Sequence, residues 1–161
     1  MIFITLGSQK FQFNRLLKAV DEQVAERKIN EEIFAQTGAS DYKPKNYRYK
    51  NFIDRNEFDE WQSNSDIIIT HGGTGAIIGA VKKGKKVIAI PRRKKYGEHV
   101  DDHQIQLVRQ FKELNLICEC RNCDDIWKAI RKVKRSHYNS YKSNTDRIIE
   151  NIERFIEGEN V

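Results

Sequence analysis

Apolar residues fall along this chain in two rhythms: short continuous runs, and longer stretches where they recur every three or four positions. The first run, Ile2–Leu6 (IFITL), stops at Gly7. Leu16, Leu17, Val20 and Val24 then follow at helical spacing, which predicts a helix from about Phe13 to Arg27. Residues 32–38 (EIFAQTG) predict a second strand, and SDYKPKN a polar loop. Tyr47–Ile53, aromatic alternating with basic, predicts a third strand near a sheet edge. Residues 54–65 predict a short helix capped by Asp54 or Asn56, with Phe58 and Trp61 turned inward.

The second half repeats the alternation. Asp66–Thr70 (DIIIT) is apolar on both faces, as a central parallel strand must be. A helix of small and apolar residues follows the corner THGGTG and ends at Gly84, a C-cap residue. KVIAI is the next buried strand, and a helix is expected from Asp101 or Asp102 to Leu114. LICEC is a strand, and residues 123–134 form a helix capped by Asp124 or Asp125. An amphipathic helix over about 144–158 closes the chain. Strands alternating with helices predict an α/β fold, a doubly wound parallel sheet covered on both faces. Ligands bind such sheets at the carboxyl ends of the strands, which selects three loops: Gly7–Gln12, His71–Gly75 and Pro91–His103.

Composition narrows this picture modestly. A length of 161 residues suits one domain, 1–161, with a single core. No stretch approaches the roughly 20 apolar residues of a membrane span, and the start of the chain lacks the pattern of a signal peptide, so a cytoplasmic location is expected. The net charge of +6 suits an acidic partner or simply solvates the surface. No zinc finger or RNP sequence supports nucleic acid as that partner. Cys118, Cys120 and Cys123 lack a fourth ligand at zinc spacing and read as reduced structural thiols, so no metal is expected.

The chemistry concentrates in two of the loops. Gly72, Gly73, Thr74 and Gly75 follow a buried strand and open a helix, so free N–H groups and the positive helix end face the corner. The corner is either a tight turn or a floor for phosphate; it matches neither a Walker A sequence nor G-x-G-x-x-G. The second loop, PRRKKYGEHVDDHQ, carries the cations of residues 92–95, able to attract a polyanionic ligand or a membrane surface. Glu98, His99, Asp101, Asp102, His103 and Gln104 come next, groups that hydrogen-bond sugar hydroxyls or cap a helix.

These two motifs, with the opening MIFITLGSQKFQFNRLL, resemble the small PssE/EpsF-like bacterial glycosyltransferase subunits of capsule and exopolysaccharide synthesis. That group belongs with the C-terminal domain of glycosyltransferase family 28, which also contains the peptidoglycan enzyme MurG and the catalytic subunit of the eukaryotic two-part UDP-GlcNAc transferase. The resemblance spans about residues 1–114. It implies a Rossmann-like fold, the donor-binding C-terminal half of a GT-B enzyme, whose acceptor-binding half is a separate membrane-anchored subunit. The implied activity is inverting transfer of a sugar from a UDP-sugar to a lipid-diphosphate-linked acceptor at the cytoplasmic membrane face. The resemblance assigns the UDP pyrophosphate to Gly72, Gly73, Thr74 and Gly75, and Arg92 or Arg93 can help the helix end stabilise the departing UDP. It assigns the donor sugar or nucleotide to Asp102, His103 and Gln104, and the acceptor-facing loop to Gly7 and Ser8. Relatives place a ribose-holding glutamate where this chain has Gly79, so the resemblance implies that the ribose is held from elsewhere, with Glu98 as a candidate, or more loosely. No cofactor or metal is implied. His71 and His99 are local candidates for the base, which can equally lie on the partner. The alternative is a non-catalytic nucleotide-binding or regulatory module built on the same corner.

Overall fold

The computed structural model describes residues 1–140 and 143–156. Six parallel strands form one sheet: β1 (Ile2–Thr5), β2 (Ile33–Gln36), β3 (Arg48–Lys50), β4 (Ile67–His71), β5 (Lys86–Ile90) and β6 (Cys118–Glu119). Their spatial order is β3-β2-β1-β4-β5-β6. The chain winds outward from β1 in one direction, then returns to β1's other side at β4. The loops leaving β1 and β4 therefore diverge, and a crevice opens between them at the carboxyl edge.

The helices are α1 (Asn14–Ala25), α2 (Arg55–Asn64), α3 (Thr74–Lys82), α4 (His103–Glu113), α5 (Ile126–Arg135) and α6 (Ser143–Ile156). The two-residue period of each strand divides the apolar side chains between two cores. On one face Ile2, Ile4, Ile67 and Ile69 pack with Leu16 and Val20 of α1 and with Ile130 and Val133 of α5. On the other, Phe3, Phe34, Ile68 and Val87 pack with residues of α2, α3, α4 and α6. Both faces of the central strands are thus dry, which is why β4 reads as an unbroken apolar run.

Local chemistry decides several boundaries. Asp54 is the cap of α2, its Oδ1 accepting the Glu57 N–H at 2.9 Å. Phe58 and Trp61 do turn inward, and the indole stacks on Phe34 with ring centroids 4.0 Å apart. The third strand, expected over Tyr47–Ile53, is only Arg48–Lys50. It pairs with β2 alone, and after Lys50 the chain leaves the sheet for the Asp54 cap. The sixth strand contracts from LICEC to Cys118–Glu119. The terminal helix, expected to reach about 158, runs Ser143–Ile156, and its last expected positions lie outside the described residues.

The polar loop after β2 is pinned by a residue that its own sequence does not reveal. Asp21 of α1 is buried, and its carboxylate accepts the backbone N–H groups of Lys45 and Asn46 at 2.9 and 2.8 Å and the Tyr42 hydroxyl at 2.8 Å. Burial alone would raise the Asp21 carboxyl, but these donors outweigh it and hold its pKa below the ordinary value.

Candidate functional site

β4 ends at His71, and the chain turns through Gly72 and Gly73 into α3. Gly73 occupies the N-cap with extended backbone, and no side chain caps the helix. The first intrahelical bond closes at Ile77, whose N–H donates to the Gly73 carbonyl at 3.2 Å. The preceding N–H groups of α3 have no intrahelical acceptor and point out of the helix end.

Two of the corner glycines are required by packing. A Cβ on Gly73 would approach His71 Nε2 under 3.0 Å, a separation real Cβ atoms essentially never show. A Cβ on Gly7, at φ +73°, would meet Cε1 of the same ring at 2.9 Å. A Cβ on Gly72 would meet Cβ of Gln104 at 2.8 Å and Val108 Cγ2 at 3.0 Å, on the first turns of α4. Gly75 differs: beyond its own chain neighbours and helix backbone, no atom of the described residues lies within 4 Å of the position its Cβ would take. The corner therefore seats an imidazole and a helix as well as exposing its amides.

His71 is 8% exposed. Burial, reinforced by the Arg92 charge, pulls its pKa down to about 4, so the ring is neutral at pH 7. It lies beneath the corner and does not border the cleft above it.

That cleft, of about 350 Å³, is bordered by Gln9, Gly72, Gly73, Thr74, His99, Asp101, His103, Gln104, Leu107 and Glu153. The loops after β1, β4 and β5 meet there, as the strand-end rule requires. His99 Nδ1 lies 3.3 Å from Asp101 Oδ1, and His103 Nδ1 lies 3.6 Å from Asp101 Oδ2. The His103 N–H also donates to Asp101 Oδ1 at 3.0 Å and is the main reason the Asp101 pKa is lowered. The Asp101 carboxylate thus sits between the two imidazoles, although His99 Nδ1 itself is buried without a hydrogen-bond partner among the described residues.

Several residues singled out in the sequence lie behind this surface. Arg92 is 1% exposed, and its Nη2 donates to the Leu6 and Phe11 carbonyls at 2.8 and 3.1 Å. Burial pulls the guanidinium pKa down to about 10. Glu98 is fully buried and takes a two-pronged ion pair from Arg15 at 2.8 and 3.0 Å while accepting the Arg93 N–H at 2.9 Å. Both residues latch the loop after β5 to β1 and α1. Asp102 is exposed and accepts the Lys94 N–H at 3.0 Å, so its neighbour Asp101 is the one at the cleft. Gln104 borders the cleft while its Oε1 accepts the Arg92 N–H at 3.1 Å. Gly7 lies against the His71 ring, and Ser8 is exposed beside Gln9.

Asp101, named in the sequence only within the run of sugar-binding or capping groups, borders the cleft, and Gln9, Leu107 and Glu153 join it without having been singled out as ligand residues. Leu107 follows from helical spacing after His103, and Gln9 lies inside the first loop. Nothing local marks Glu153, which arrives on α6. The cysteines are buried and unbridged, and burial raises Cys120 to about 12 and Cys123 to about 11. Among the described residues no group of three or more His, Cys, Asp or Glu is arranged to hold a metal ion.

Residues 1–157 match the model of the glycosyltransferase family 28 C-terminal domain. The UDP-N-acetylglucosamine transferase subunit ALG13 of Candida albicans is 29% identical over 96 residues, covering 60% of this chain and 29% of the relative. A mouse protein of the same name is 27% identical over 128 residues, 74% of this chain and 11% of its own. The chain thus spans less than a third of the length of these curated relatives. The solution structure of ALG13 superposes with a TM-score of 0.58 at 14% identity, over 92% of this chain and 94% of that one. Acinetobacter baumannii MurG gives 0.58 at 16% identity, over 94% of this chain and 49% of MurG. These likenesses identify the fold as the Rossmann-like C-terminal half of a GT-B glycosyltransferase.

Proposed function

The chain belongs to the glycosyltransferase family 28 C-terminal domain family, and from that premise we propose that it is the donor-binding, catalytic subunit of a UDP-sugar-dependent glycosyltransferase. The observation that carries this reading is the uncapped N-terminus of α3 opening into the cleft at the point where the strand order reverses. Amides without intrahelical acceptors and the helix dipole favour a diphosphate there. In the transition state they also stabilise the negative charge that builds on the departing UDP. Thr74 and the backbone of Gly72 and Gly73 form the floor. Asp101, His103 and Gln104 face the sugar-nucleotide, while Arg92 and Glu98 act from behind by fixing the loop. Ser8 and Gly7 lie on the acceptor side.

Inverting transfer also needs a base for the acceptor hydroxyl. His99 is better placed than His71: it borders the cleft with Asp101 3.3 Å from its Nδ1, whereas His71 is a buried, weakly basic ring. The acceptor is a lipid-diphosphate-linked sugar, bound mainly by a separate membrane-anchored subunit that holds this chain at the cytoplasmic membrane face. No described helix is long and apolar enough to cross a membrane by itself. The polymer is a capsular or exopolysaccharide, in keeping with the resemblance of the opening and glycine-corner motifs to bacterial subunits of that role.

Isothermal calorimetry with UDP tests the floor directly. Thr74→Trp places a bulky ring at the exposed helix end and should abolish UDP binding while circular dichroism stays native. Unchanged affinity would sink the phosphate floor. Transferase activity should emerge on co-expression with the acceptor-binding subunit, and full activity of the isolated chain on a lipid-linked acceptor would refute the two-subunit reading.

A further inference from the structure

Glu153 reaches the cleft from an element that none of the three strand-end loops contains. α6 docks with Ile149 buried and Ile152 partly buried in the second core. This carries Glu153, half-buried, to the cleft wall beside Gly72, Gly73, Thr74 and Leu107. Two carboxylates border the cleft. Asp101 accepts the His103 amide at 3.0 Å and lies 3.3 and 3.6 Å from Nδ1 of His99 and His103. Glu153 borders the cleft and has no hydrogen bond or ion pair among the described residues, which leaves both carboxylate oxygens available as acceptors.

A carboxylate with spare lone pairs beside an anion floor repels phosphate and accepts from O–H donors. Two adjacent hydroxyls on one sugar ring match its two oxygens, as a guanidinium fork does in an ion pair. Helix α3, which opens the floor, carries no acid of its own: residues 74–82 read TGAIIGAVK. We propose that Glu153 recognises the vicinal hydroxyls of a sugar ring bound in the cleft, either the ribose or the transferred hexose. This rests on the sugar-nucleotide reading of the site. It makes α6 a specificity element that completes the donor pocket from the far end of the chain.

Calorimetry on the full chain distinguishes the two sugars, with UDP, 2′-deoxy-UDP and UDP-N-acetylglucosamine as probes. Removing hydroxyl hydrogen bonds to a charged acceptor should change affinity about tenfold or more. If the ribose is read, the wild-type chain binds UDP at least tenfold tighter than 2′-deoxy-UDP, and Glu153→Ala brings the two together. If the hexose is read, Glu153→Ala keeps that ratio and selectively weakens UDP-N-acetylglucosamine relative to UDP. Glu153→Gln, which keeps the shape and one acceptor, should fall between wild type and alanine. Unchanged affinity ratios among the three ligands in Glu153→Ala, at whatever overall affinity, would overturn the proposal alone. Absence of UDP and UDP-sugar binding by the wild-type chain would overturn the sugar-nucleotide reading and Glu153's role with it.

Discussion

Replacing Gly73 by alanine isolates the part of the glycine corner that packing requires. The backbone there is extended rather than left-handed, so alanine meets no torsional obstacle. Its methyl group instead approaches Nε2 of His71 under 3.0 Å. The ring has little room to retreat toward Gly7, where even a Cβ would come within 2.9 Å of its Cε1. Overpacking of this kind costs typically about 1–3 kcal/mol, and exchanging glycine for alanine at an N-cap adds roughly 0.5–1 kcal/mol. Gly73→Ala should therefore lose about 3 kcal/mol in urea unfolding followed by circular dichroism. In a His71→Ala background the clash disappears and only the N-cap component remains. The cycle should then give a coupling of about 2 kcal/mol between the two positions. An equal penalty for Gly73→Ala in both backgrounds would show that the glycine does not serve the histidine.

Gly75→Ala is the contrasting case: its methyl group enters open space, and the gain in helix propensity should raise stability by up to about 1 kcal/mol in the same assay. His71 gives stability a pH dependence. Its folded pKa lies near 4 against 6.5 unfolded, so the unfolded chain takes up a proton first as pH falls. Stability should drop by up to about 3 kcal/mol between pH 6.5 and 4, and an unchanged slope in His71→Gln would refute that source. Asp21→Asn should cost about 2–3 kcal/mol by setting an amide against backbone donors. The stabilisation from the Asp21 carboxylate is complete above its unfolded pKa of about 3.8 and lost as pH falls through its lower folded pKa. Arg92→Met leaves the Leu6 and Phe11 carbonyls without their guanidinium donor, and faster amide exchange confined to residues 7–13 would verify the latch.

The alternation of apolar runs and helical stripes determined most of the fold. Strand β4 and helix α1 were legible because a residue buried on both faces, or on one stripe, leaves a period that no other arrangement explains. The glycine corner and the polar start of α4 were legible as ligand loops for the same local reason, since glycines after a buried strand and hydrogen-bonding side chains at a helix start are short-range signals. The edge strands were overestimated because their ends are set by the neighbour they pair with: β3 has only β2 beside it. Tertiary structure alone decided where each candidate site residue lies. Asp101 and Asp102 are adjacent and chemically alike, yet the helix start turns one to the cleft and the other to the Lys94 amide. Arg92 and Glu98 read as ligand groups from their charge, but a charge carries no label for which side of a loop it will occupy. Gly73 read as space for a ligand, and the structure adds that its missing Cβ also makes room for His71. Glu153 lies some eighty residues from the corner it borders, and only the docking of α6 onto the second core brings the two together.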